Sequence, residues 1–139
     1  MDELSNMGFG VVGHIAYRDG ALEADIAEDI ARREKCIYAI VIGGEIARIG
    51  SSKGPLRKRI RSYRRYFARA IERDGVGTQM PLWEAHAWRD RLLAAGGEGQ
   101  VWARQGTVVE TAIATLNVFL SEEAELIARY RPPLNRSGR

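Results

Sequence analysis

The sequence predicts a mixed α/β chain, α+β in layout: a small central antiparallel sheet of about three strands, flanked by helices and preceded by an N-terminal extension. Three observations carry that expectation. Residues 36–42 form a continuous apolar, β-branched run closed by Gly43-Gly44, the pattern of a strand buried on both faces and followed by a tight turn. Leu56, Ile60, Tyr63, Phe67 and Ile71 recur at helical spacing and form an apolar stripe on a long helix. With 139 residues, 45% hydrophobic and 28% charged, the chain has the size and composition of one ordinary domain with a single core. The reading divides it into an extension over 1–35, packed on the core, and a main domain over 36–139 with a helical insertion at about 74–98.

The elements follow in order. Val11 to Tyr17 reads as a short strand ending at the Arg18-Asp19-Gly20 turn. Residues 21–34 read as an acidic helix, with Leu22, Ile26 and Ile30 at i, i+4 and i+8. After the strand over 36–42 and its glycine turn, Glu45 to Ile49 returns as the paired strand. Gly50 to Gly54 is a loop, and Pro55 suits the first position of a helix that runs to about Glu72. Asp74-Gly75-Val76-Gly77 breaks that helix. Pro81 to Ala95 is a second helix carrying Trp83 and Trp88, ended by Gly96-Gly97. Gln100 to Gln105 is strand-like, and Thr107 to Ala112 extends it or pairs with it. A last helix is expected from about Leu116 to Tyr130, stopped by Arg131-Pro132-Pro133.

Composition excludes several classes of function. A single cysteine, Cys36, leaves no intrachain disulfide and no cysteine-based zinc site, and His14 and His86 are too far apart for a His-built one. No apolar run approaches the ~20 residues that cross a bilayer, and the start lacks a basic, apolar leader. The expected setting is the reduced cytoplasm, with no membrane partner.

The formal net charge of +3 hides a strong asymmetry: −5 over residues 1–34, +9 over 35–73 and −1 over 74–139. Of the 21 basic residues 18 are arginine, and the stretch Arg57 to Arg73 holds eight basic residues against one acid, Glu72. A merely solvated helix face usually intersperses the two signs. Arginine forks match phosphate geometry, so the block points to nucleic acid, with Arg57, Lys58, Arg61, Arg64, Arg65 and Arg69 as candidate DNA contacts. The acidic N-terminal segment either caps the sheet or masks this helix.

One acid stands in an unexpected place. On a helical wheel with Phe119 at the origin, Leu126, Tyr130 and Ile127 fall within about 80° of it and Glu123 lies among them at about 40°; Glu122 and Glu125 point toward solvent. A carboxylate on a core-facing stripe is costly without a cation or hydrogen bonds. Glu123 is therefore either the partner of an arginine or a functional acid able to hold Mg²⁺ (or Mn²⁺), an ion that tolerates few protein ligands. Tyr38 sits in the buried strand, as core or as a functional hydroxyl. Arg59 lies at the edge of its helix's apolar stripe and suits either a salt bridge, Glu123 included, or a phosphate. Lys53 precedes a helix N-terminus, a favourable place for an anion.

These residues occur in an ordered set: Cys36-Ile37-Tyr38, then Arg48-Ile49-Gly50-Ser51-Ser52-Lys53, then Leu56-Arg57-Lys58-Arg59-Ile60 with Tyr63, then Glu123-Ala124-Glu125-Leu126-Ile127, and finally Pro132-Pro133-Leu134-Asn135. The set, spanning residues 36–135, resembles the motifs of the GIY-YIG nuclease family. The resemblance implies a metal-dependent DNA endonuclease that hydrolyses phosphodiesters, acting on double-stranded or branched DNA. It implies Tyr38 as the catalytic tyrosine of the first motif, Arg59 as the stabiliser of phosphate charge, Glu123 as the single metal ligand and Asn135 as a support of the site. Lys53 is a looser match, in a loop where basic residues approach the phosphate.

Three positions depart from the family pattern. Cys36 replaces the first glycine. Arg48 replaces the second-motif tyrosine and either holds the scissile phosphate or pairs with an acid. Whether Arg48 shares a face with Tyr38 depends on the turn between their strands, since a two-residue turn separates them and a bulged three-residue turn brings them together. Tyr63 replaces the usual histidine, four residues after Arg59, and could serve as donor or base. These changes keep open a catalytically weak or inactive nucleic-acid-binding member of the same fold. A homodimer is one way for a small single site to cut both strands.

Overall fold

The computed structural model describes residues 1–135. The chain begins with a short helix, α1 (Asp2–Asn6), and a hairpin of β1 (Gly10–Arg18) and β2 (Ala21–Ile26), followed by the single-turn α2 (Glu28–Ala31). The second hairpin is β3 (Cys36–Ile42) and β4 (Glu45–Ser52), and it leads into α3 (Leu56–Glu72). Then come α4 (Leu82–Ala94), β5 (Glu98–Gln105), a small hairpin of β6 (Val108–Glu110) and β7 (Thr115–Asn117), and α5 (Phe119–Tyr130). No helix among the described residues is long and apolar enough to cross a membrane.

The main sheet is antiparallel and flanked by helices, as expected, but it has five strands rather than about three, in the order β2-β1-β5-β3-β4. The two added strands come from the N-terminal segment, which joins the sheet through β5. Residues 21–26 form a strand and not the start of an acidic helix. Leu22 and Ile26 sit four residues apart, a spacing that satisfies a period of two as well as one of 3.6. The left-handed Asp19-Gly20 turn, with φ of 52° and 79°, folds the segment back on β1, and only a single helical turn remains at 28–31.

β3 is buried along its whole length, and its alternate residues feed two cores. Tyr38 and Ile40 join Leu56, Ile60 and Phe67 of α3 and Trp88 and Leu92 of α4. Ile37, Ala39 and Val41 join Leu4, Phe9, Trp102, Phe119 and Leu126. Helices α3 and α4 therefore cover one face of the sheet, and α1 and α5 the other. On α3 the buried stripe ends on Ala70, whereas Ile71 is exposed. Trp88 is fully buried and Trp83 is largely exposed.

The segment after β5 turns away from the main sheet. Residues 108–110 pair with 115–117 in their own two-stranded ladder, so the last helix begins at Phe119 rather than Leu116. Asn117 fixes that start, its side-chain oxygen accepting the Phe119 N–H at 3.1 Å. At the other end Arg131 adopts the left-handed conformation (φ 44°). The turn that follows brings Leu134 against the outer edge of β4, where its N–H donates to the Ala47 carbonyl at 2.9 Å.

Candidate active site

The site is organised around the edge strand β4. Gly43 and Gly44, with φ of 60° and 80°, form a two-residue turn of the kind that matches strand twist. That turn alone would leave Tyr38 and Arg48 on opposite faces. A β-bulge corrects the register: Val41 pairs with Ile46 but Ile40 pairs with Arg48, so Ala47 is the extra residue. Arg48 thereby returns to the face that carries Tyr38.

On that face the Tyr38 and Tyr63 hydroxyls lie 2.6 Å apart, and Arg48 Nε donates to the Tyr63 oxygen at 2.9 Å. The rings of Tyr38 and Tyr63 meet edge to face at 6.3 Å. Both tyrosines are buried. Burial, reinforced by the adjacent Tyr63 and opposed by the charges of Arg59 and Arg48, pushes the Tyr38 phenol well above its ordinary range. Tyr38 is thus a neutral hydroxyl at neutral pH, held in a hydrogen-bonded pair with Tyr63. The departure from histidine to Tyr63 keeps a polar group at this point, and the departure to Arg48 supplies its cationic neighbour.

Arg48 does not face the solvent side of the site. Its NH1 donates to the Leu134 carbonyl at 2.6 Å and to Glu84 Oε2 at 3.3 Å, and the same Glu84 oxygen accepts the Trp88 indole N–H at 3.1 Å. The arrangement is a largely buried ion pair between β4 and α4. Sequence reasoning missed Glu84. A signal was present, because Glu84, Ala85, Trp88 and Leu92 lie on one buried stripe of α4, the same misplaced-carboxylate pattern that singles out Glu123.

Arg59 is placed differently. Its guanidinium lies 5.8 Å from the centre of the Tyr63 ring, and its Nε is buried without a hydrogen-bond partner. It has no carboxylate partner among the described residues; in particular, the salt bridge to Glu123 that the wheel left open is not formed. Arg59 lines a cavity of about 460 Å³ together with Ser51, Lys53, Lys58, Arg65 and Tyr66. Lys53 and Arg59 are thus brought to one cavity, beside the tyrosine pair.

Glu123 approaches from the opposite face of the sheet, on α5. Its Oε1 accepts the Ser51 hydroxyl at 2.9 Å, and Ser51 also lines the Arg59 cavity. Glu123 is half-buried and, unlike its neighbour, carries no ion pair among the described residues. Glu122, read as solvent-facing, instead binds Arg104 and the Thr107 backbone and hydroxyl. No cluster of three or more His, Cys, Asp or Glu able to hold a metal occurs among the described residues. The donor set fits an ion that takes one carboxylate and completes its shell with water and phosphate oxygens.

Asn135 supports the edge strand itself. Its Oδ1 accepts the Ile49 N–H at 2.8 Å and its Nδ2 donates to the Ile49 carbonyl at 2.9 Å. The side-chain amide acts as one residue of an added strand on β4, holding the backbone between Arg48 and Gly50.

The basic residues of α3 separate into two groups. Arg57 pairs with Asp25 and Glu28, Arg61 with Asp25, and Arg64 with Glu23. These three candidate DNA contacts pair with acids of β2 and α2, in the N-terminal segment that also extends the sheet. Lys58 and Arg65 line the cavity flank and have no ion pair among the described residues; Arg65 stacks on Tyr66 at 5.2 Å. Arg69 is exposed in the last turn of α3, outside the cavity.

No protein-family model and no curated protein matches the sequence. Solved structures do match the fold, among them the following two. A Glu-to-Ala mutant of bacteriophage T4 EndoII is similar over 97% of this chain and 97% of that chain, with a TM-score of 0.68 and 24% identity. The restriction endonuclease HPY188I in complex with product DNA is similar over 91% of this chain and 75% of that chain, with a TM-score of 0.55 and 21% identity. The chain has the fold of these two structures.

Proposed function

We propose that this chain is a cytoplasmic, divalent-metal-dependent DNA endonuclease that hydrolyses phosphodiester bonds. The observation that carries the reading is Arg59: a half-buried guanidinium without a carboxylate partner, facing a basic cavity whose wall also holds Ser51, the hydrogen-bond partner of Glu123. A partly desolvated cation whose neighbours are the Tyr63 ring and the Tyr38 hydroxyl, with no carboxylate among the described residues, is matched to an anion supplied from outside, and Lys53 and Lys58 reinforce the same sign.

In this reading a DNA phosphate occupies the cavity and Arg59 offsets the charge that grows on it during water attack, the term that commonly dominates such catalysis. Glu123, oriented by Ser51, would hold Mg²⁺ or Mn²⁺, which supplies Lewis-acid polarisation of the phosphate. One of the Tyr38 and Tyr63 hydroxyls donates a hydrogen bond to the other, and in this reading the pair assists deprotonation of the attacking water. Arg48 orients that pair through Tyr63, and Asn135 keeps the strand beneath it in register. Lys58, Arg65 and Arg69 contact flanking backbone of double-stranded or branched DNA. Cutting of both strands is served by two protomers or by two successive events.

A second reading is a nucleic-acid-binding member of the fold with weak or no catalysis. It is favoured by the burial of both tyrosines and the engagement of Arg48 by Glu84. Nicking of supercoiled plasmid with Mg²⁺ or Mn²⁺ tests the two. The endonuclease reading expects metal-dependent cleavage that falls about 10²- to 10³-fold in Arg59→Ala and is lost in Glu123→Ala. Salt-dependent binding of linear, supercoiled and branched DNA without any cleavage would establish the second reading instead.

A further inference from the structure

A second groove, of about 460 Å³, adjoins the Arg59 cavity. The two share Pro55, Lys58, Ser62 and Arg65. The groove adds Arg32, a residue outside the basic stretch of the sequence, from the end of α2. Two backbone contacts bring that segment to the start of α3: the Leu56 N–H donates to the Arg33 carbonyl at 2.9 Å, and the Lys35 N–H to the Lys53 carbonyl at 3.3 Å.

The charges around the groove are unevenly satisfied. On its β2 side Arg57 and Arg61 are neutralised by Asp25 and Glu28. Arg32, Lys58 and Arg65 have no carboxylate partner among the described residues. Seven residues of helix separate Lys58 from Arg65, about 10 Å along the axis. That length exceeds the axial rise of about 3.4 Å per phosphate of one strand and is more than a single scissile phosphate fills.

We infer that this groove is a second phosphate subsite, in which Arg32, Lys58 and Arg65 hold a backbone phosphate of the DNA strand adjacent to the one at Arg59. The inference rests on the nucleic-acid reading above but not on catalysis. It gives the strand a direction across the protein: from the Arg59 cavity over the first two turns of α3 toward the end of α2, along the flank that the acidic hairpin leaves open.

Fluorescence-anisotropy titration of a labelled 20-base-pair duplex in EDTA, at KCl concentrations from 50 to 300 mM, tests the assignment, with plasmid nicking run in parallel on the same preparations. Arg32→Ala is expected to weaken binding about 3- to 10-fold at 100 mM KCl and to reduce the slope of log affinity against log salt by about 1. Arg32→Lys should retain most of the slope. Arg89→Ala, which removes a charge paired with Asp90 on α4, should stay within about twofold of wild type. A duplex that is bound but not cut, with the Arg32→Ala deficit present, upholds the subsite and overturns the endonuclease reading. Cutting with Arg32→Ala indistinguishable from wild type in affinity and slope overturns the subsite alone. Failure of the wild type to bind at 50 mM KCl overturns both. Circular-dichroism melting of each variant separates loss of contact from loss of fold.

Discussion

The Tyr38 hydroxyl lies directly over Gly50, its partner across the β3–β4 ladder, so closely that a β-carbon at position 50 would overlap the phenol oxygen and the ring carbon that bears it. Glycine here is required by the close approach of a side chain and not by a special backbone angle. It lets the tyrosine extend across the edge strand and meet Tyr63.

Gly50→Ala is therefore expected to displace Tyr38 and to cost about 1–3 kcal/mol, the range for overpacking a well-filled core. Gly10→Ala, at a strand position where a β-carbon meets nothing within 4 Å, should leave the denaturation midpoint nearly unchanged. Urea unfolding of the two variants checks the contrast, and plasmid nicking should fall with Gly50→Ala only.

The Arg48–Glu84 pair ties β4 to α4, with side-chain exposures of 20% and 10%. Removing one partner strands the other charge in a largely desolvated place. Glu84→Leu is expected to cost about 3 kcal/mol. The Arg48→Met, Glu84→Leu double variant should lose at least about 1 kcal/mol less than the sum of the singles. Additive losses in a double-mutant cycle would show that the pair is not coupled.

Asn135 satisfies both backbone groups of Ile49, a residue only 1% exposed. In Asn135→Ala these groups lose their partners, at about 1–3 kcal/mol for a buried unsatisfied group. Hydrogen exchange should then accelerate at the Ile49 amide before it does at the inner strand β3. Equal protection of Ile49 in variant and wild type would contradict the clamp.

Asp25 gives the chain an acid-sensitive contact. The hydrogen bond from Arg61 lowers its carboxyl from the ordinary value to about 2; partial desolvation opposes the shift, and the Ile26 N–H and the charges of Arg61 and Arg57 add to it. A carboxyl depressed in the folded state stabilises that state above its unfolded pKa, near 3.8, and the contribution is lost as pH falls toward about 2. The Asp25 side chain is 43% exposed, so solvent screening keeps the effect at pH 7 below about 1 kcal/mol. Asp25→Asn should narrow the stability difference between pH 5 and pH 2.5 in urea titrations. The same variant frees Arg61, while Arg57 keeps its pair with Glu28, and should raise duplex affinity at neutral pH.

The sequence by itself determined the parts whose physics is local. The apolar run 36–42 could only be a doubly buried strand, and the stripe from Leu56 to Phe67 could only face a core. The wheel of the last helix singled out Glu123 before any fold was known. The charge asymmetry was also legible, and the order of the motifs pointed to Tyr38, Arg59 and Asn135 as candidates. Tertiary structure decided what depends on distant partners. Residues 21–26 satisfied both periodicities until β1 offered them a ladder. One extra residue at Ala47 reversed the face of Arg48, and a carboxylate 36 residues away, Glu84, then claimed its charge. The arginines of α3, alike in sequence, were divided into masked and open by acids of the N-terminal hairpin. Periodicity records which face of an element is buried; the partner of a charge is fixed only when long-range pairing brings a carboxylate within reach or leaves the cation to a ligand.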